Sequence, residues 1–112
     1  MELASKIDGN NVLVLGLREE NLDAGNVRDF KDAVQALIQN HTRVVLDLSG
    51  VKFIDSSGLG ALISCLRSLN GRHGDFRLCE MSRTVRALFE LMRMHRVFSI
   101  HASCEEAVRS FG

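Results

Sequence analysis

Two rhythms of apolar and polar residues alternate along this chain. Val12 to Leu17 is a short, nearly continuous apolar run, and Lys6-Ile7-Asp8 ahead of it is set off by the turn-forming Gly9-Asn10-Asn11. Together they predict an opening β-hairpin. The period then lengthens: Val27, Phe30, Val34 and Leu37, with Ala33 and Ile38 beside them, recur at helical spacing, while Arg28, Lys31, Asp32 and Gln35 fall outside the stripe. This predicts a first amphipathic helix, with Asp23 or Asn26 as its cap.

The alternation continues to the end of the chain. Arg43-Val44-Val45-Leu46-Asp47-Leu48 reads as a buried strand ending at Ser49-Gly50, and Val51-Lys52-Phe53-Ile54 as a second short extended piece. Leu59, Leu62, Ile63, Leu66 and Leu69 mark a second helix that stops near Asn70-Gly71, where glycine suits a left-handed terminus. Phe76 to Cys79 is a strand. Ser82 caps a third helix carrying Val85, Leu88, Phe89 and Met92, and Val97 to Ile100 is a last strand. Ser103 and Glu106 form a capping box that opens a final helix through Ala107, Val108 and Phe111. Repeated strand and helix predict an α/β fold: a mixed, mostly parallel sheet with an N-terminal hairpin strand, and ligands gathered at the carboxyl ends of its strands.

Composition bounds what such a domain can do. With 14 basic and 14 acidic residues among 112, the formal charge is zero, and there is no tyrosine or tryptophan to stack on bases. A nucleic-acid partner is therefore not expected. The apolar runs are too short to span a bilayer and the N-terminus lacks a secretory pattern, so the expected setting is cytoplasmic, away from the membrane. Cys65, Cys79 and Cys104 are odd in number and widely spaced, and the four histidines are scattered. No disulfide framework, metal site or cofactor is expected from that spacing, and Cys65 and Cys79 read as small core hydrophobes.

The chemistry concentrates in Ile54-Asp55-Ser56-Ser57-Gly58-Leu59-Gly60, between a strand and a helix. A dinucleotide fingerprint would need a third glycine where Ile63 stands, and a phosphate-binding P-loop a Gly-Lys-Ser or Gly-Lys-Thr triplet that the chain lacks. A nucleophile elbow needs glycine two residues before its serine; Ile54 and Asp55 occupy those positions. An enzyme is not expected. Asp and Ser accept hydrogen bonds from first-turn amides, which is a capping role, and Gly58 suits a sharp turn. The same free amides favour an added phosphate.

The run Asp47-Leu48-Ser49-Gly50-Val51-Lys52-Phe53-Ile54-Asp55-Ser56-Ser57-Gly58-Leu59-Gly60 resembles the signature of the bacterial anti-sigma-factor antagonists, the stand-alone STAS domains. Leu22-Asp23, Val85 to Phe89 and Glu105 to Val108 are similar to further family patterns, so the resemblance takes in residues 1–112 as one domain. It implies a partner switch. Ser56 is then the residue phosphorylated by an anti-sigma factor that is also a serine-protein kinase, and a PP2C-type phosphatase removes the mark. Unphosphorylated, the domain binds the kinase and releases its client. Asp23, Asp55, Ser57 and Gly58 would contribute to the partner surface, with Ser57 capping the helix. Glu20-Asn21 departs from the Gly-Glu that the family often carries before its Leu-Asp pair. Within the same fold, the alternative is a STAS subunit of an ABC-type phospholipid-transport complex, which needs no phosphoserine.

Overall fold

The structure is a computed structural model covering residues 1–112. Strand β1 (Leu3–Asp8) turns through Gly9 and Asn11, both at positive φ, into β2 (Val12–Leu17), which pairs with it antiparallel. Strands β4 (Arg43–Asp47), β6 (Asp75–Cys79) and β7 (Ile100–His101) add in parallel, giving the order β1-β2-β4-β6-β7. The expected mixed, mostly parallel α/β sheet is what forms.

Both faces of the central strands are covered, which is why their sequences are apolar runs rather than alternations. Leu13, Leu15, Val44, Leu46, Phe76 and Leu78 point into the larger core. There they meet α1 (Val27–Ile38) through Phe30, Val34 and Ile38, and α2 (Ser56–Asn70) through Leu59, Leu62, Cys65, Leu66 and Leu69. Helix α3 (Arg83–Leu91) joins that core with Val85 and Phe89, whose ring lies 5.9 Å from that of Phe98. On the opposite face Val12, Val14, Val45 and Cys79 are covered by α4 (Cys104–Arg109) through Ala107 and Val108. Arg77 flanks this smaller core: it pairs with Asp75 at 2.9 Å, donates to Ser110 Oγ at 2.6 Å, and lies 3.9 Å from the centre of the Phe111 ring.

Three local expectations are corrected, and one strand is new. The left-handed residue after α2 is His73, not Gly71: Gly71 stays helical and donates to Arg67, while Gly74 N–H reaches back to Leu69. Val97 to Phe98 is not strand, because Met94–Arg96 form a short 3-10 turn whose Met94 carbonyl takes the amides of both residues; pairing with β6 begins only at Ile100. Of the expected capping box the Ser103 half forms, its Oγ accepting from Glu106 N–H at 3.1 Å, but no bond returns from the Ser103 amide to the Glu106 carboxylate; the Cys104 amide goes to the Glu80 carboxylate at 3.0 Å, so the end of β6 takes part in starting α4. Finally, Asn21–Leu22 forms a strand, β3, pairing in parallel with β5 (Phe53–Ile54) in a separate two-stranded sheet. That strand was not foreseen, and it builds the site.

Candidate functional site

Strands β3 and β5 run side by side, each ending just before a helix. Leu22 and Ile54 are opposed in register and both fully buried, which anchors the pair in the core. The Lys52 and Phe53 amides both donate to the Glu20 carbonyl, and Lys52 Nζ meets the Glu20 carboxylate at 3.2 Å in an exposed ion pair. Glu20-Asn21, the departure from the family's Gly-Glu, therefore lies on the strand edge of the site. The two chain segments deliver Asp23 and Asp55 to neighbouring positions.

Asp55 is the pivot of this arrangement. Its backbone is extended and its N–H donates to the Leu22 carbonyl at 3.2 Å. One carboxylate oxygen accepts from Gly58 N–H at 2.8 Å, capping α2; the other accepts from Ala24 N–H at 3.1 Å, in the loop that leads to α1. A single side chain thus closes one helix start and ties it to the approach of the next.

The capping roles expected of the neighbours are corrected. Ser57 does not cap α2; it is the second helical residue, exposed, and Asp55 already holds the amide that a cap would take. Asp23 does not cap α1 with its side chain either, since its Oδ1 accepts from Gly25 N–H at 2.9 Å. Asn26 occupies the cap position of α1 but turns backward, accepting from Asp23 N–H and donating to the Asn21 carbonyl at 2.8 Å. These bonds shape the loop rather than the helix. Gly58 makes no turn: it lies within the first turn of α2, where a Cβ would strike the Leu22 carbonyl oxygen and meet Ile54 Cγ2 at 3.0 Å. Its missing side chain is what lets the helix start press against β3.

Ser56 is the first residue of α2 and is exposed. Gly58 and Leu59 amides are taken by the Asp55 side chain and carbonyl, so the Ser56 and Ser57 amides are the first-turn donors left for an outside acceptor. Beside them Phe53 is 52% exposed. Its prominence escaped sequence reasoning because an aromatic residue in a short apolar run reads as core.

Cysteine spacing concealed a second constellation. Cys79 and Cys104 bring their sulfurs within 2.6 Å of each other, and the Asp47 carboxylate lies within 4.8 Å of both. Burial pushes both thiols up, that of Cys104 to about 11, with the Asp47 and Glu80 carboxylates adding to the effect. Cys65 lies apart in the larger core, fully buried as expected.

The STAS domain description matches residues 4–107. The chain is 28% identical to the candidate anti-sigma factor antagonist BtrV of Bordetella bronchiseptica over 107 residues, covering 95% of this chain and 90% of that one. It is 25% identical over 85 residues to the anti-sigma-B factor antagonist of Staphylococcus aureus, covering 75% and 79%. The crystal structure of a candidate anti-sigma factor antagonist from Thermotoga maritima superposes with a TM-score of 0.85 at 27% identity, covering 96% of this chain and 92% of that one. The chain belongs to the STAS domain family.

Proposed function

We propose that this STAS domain is a phosphorylation-controlled antagonist of an anti-sigma factor, with Ser56 as its switch. The unphosphorylated domain binds an anti-sigma factor that is also a serine kinase, and so frees that factor's client; phosphate on Ser56 ends the complex. A PP2C-type phosphatase resets it. The reaction chemistry belongs to these enzymes, and this chain is their substrate.

The observation that carries the reading is the first turn of α2. The Ser56 hydroxyl is exposed and two amides beside it are unused, while Asp55 is fixed by its own two hydrogen bonds. A phosphate adds about −1.5 to −2 charges. In the free domain, the helix N-terminus and the spare amides offset part of that charge, by roughly 0.3 to 1 kcal/mol. Inside an interface the same phosphate is desolvated next to the carboxylates of Asp55 and Asp23, and about 1.4 kcal/mol of such a difference weakens binding tenfold. The names of the relatives support this choice of partner over the transport-complex alternative.

The test uses Ser56→Ala as bait to capture the kinase from bacterial extract, then purified kinase with ATP. Ser56→Ala should bind and resist phosphorylation, Ser56→Asp should bind at least about tenfold more weakly, and peptide mass spectrometry should find phosphate on Ser56. Equal binding by the two variants, or a mark confined to Ser57, would sink the proposal; recovery of transporter subunits instead of a kinase would favour the alternative.

A further inference from the structure

We infer that Cys79 and Cys104 form a reversible disulfide that fastens α4 to the sheet, a modification site independent of the Ser56 reading. The two residues are 25 positions apart in sequence, with all of α3 and β7 between them. Three contacts bring them together. Cys79 pairs in register with His101, which sets the start of α4 beside the end of β6. Glu80 then takes positive φ, an uncommon conformation for a residue other than glycine, and its carboxylate accepts from the Cys104 amide at 3.0 Å. Ala107 and Val108 pack over the same sheet face as Cys79.

The two sulfurs are in direct contact, and Asp47 is the one further potential metal ligand beside them. A closed structural zinc site takes four protein ligands, and one Asp47 oxygen already accepts from the Ser49 amide. The geometry is that of a dithiol pair with a neighbouring charge. Access is one-sided: Cys79 is fully buried and Cys104 partly exposed, so an oxidant meets Cys104 first.

The oxidant is a low-molecular-weight disulfide. The Cys104 thiolate attacks one of its sulfurs, expelling one thiolate and leaving a mixed disulfide on Cys104. The Cys79 thiolate then attacks the Cys104 sulfur and expels the second. Both protein thiols lose their protons and together give up two electrons, and the small disulfide is reduced to two thiols.

The full chain, incubated with oxidised glutathione at about pH 9 to raise the thiolate fraction, should lose the mass of two hydrogens. Its tryptic map should show Cys79 joined to Cys104, leaving only Cys65 alkylatable after denaturation. Closing this loop should raise Tm by on the order of 10 °C, and dithiothreitol should reverse the rise. Cys104→Ser, altered at the more exposed position, should fold and show neither change. A glutathione adduct on Cys104 as the end product, a cross-link that includes Cys65, an unchanged Tm after cross-linking, or one zinc retained per reduced chain through gel filtration would each overturn the inference.

Discussion

A methyl group added at position 58 has nowhere to go. Its nearest neighbour would be the Leu22 carbonyl oxygen, part of the β3 backbone rather than a side chain that can swing aside. Gly58→Ala should therefore destabilise the domain by about 1–3 kcal/mol, even though alanine is the better helix former by about 1 kcal/mol. Two residues on, the balance reverses. Gly60 lies in the same helix with nothing within 4 Å of an added Cβ, so Gly60→Ala should stabilise by about 0.5–1 kcal/mol. Thermal melts of the two variants check the pair, and a matching drop in both would mean that helix propensity and space are not what separates them. The sequence marks both glycines equally. What separates them is a contact with β3, a strand two residues long that exists only through pairing with β5, and no local pattern encodes such a contact. Serines follow the same division. Ser82 and Ser103 cap as expected, accepting from amides three residues on at 3.1 Å. Ser57 does not, because Asp55 precedes it and takes the amide first.

At the scale of elements, Asp55 joins the starts of two helices, and its two oxygens can be separated by substitution. Asp55→Ala loses the cap of α2 and the bond to Ala24 together, and should cost about 2–3 kcal/mol, above the roughly 1 kcal/mol of an ordinary cap. Asp55→Asn keeps one acceptor for the Gly58 amide but turns an amino group toward the Ala24 amide, where two donors then meet. It should cost about half as much, and chemical denaturation would rank the two. Equal losses would mean that the retained cap on Gly58 contributes nothing, and a wild-type stability for Asp55→Asn that the link to Ala24 contributes nothing. The helices and central strands were legible because each writes its own period or apolar run. Their junctions were less so. Asn26 was a reasonable cap by residue type, but the Asp23 amide and Asn21 carbonyl of the loop claim its side chain instead. The last strand was displaced by a turn whose Met94 carbonyl captures the amides of Val97 and Phe98, leaving only Ile100 and His101 to pair with β6.

For the molecule as a whole, the sheet order and the two cores follow from continuous apolar strands that demand cover on both faces, and that demand is visible in the sequence. What the sequence leaves unwritten is which distant residues meet: Cys79 with Cys104, or Asp55 with Ala24. Cys65 gives a test of the larger core in its entirety. Fully buried between helix and sheet, its thiol is pushed from 9.0 to about 11 by burial, partly countered by Lys31. Because the folded value is the higher one, the unfolded chain gives up this proton first. The stabilisation is thus fully present below about pH 9 and is lost as pH rises toward 11. Two pH units correspond to about 3 kcal/mol. In Cys65→Ala that proton is gone, and the smaller side chain costs about 1–2 kcal/mol at neutral pH. Measured by urea unfolding under reducing conditions, which keep Cys79 and Cys104 as thiols, the wild type should be the more stable at pH 7. Its advantage should shrink from about pH 9 and vanish or reverse near 11, whereas curves that stayed parallel would mean that water reaches Cys65 in the folded protein.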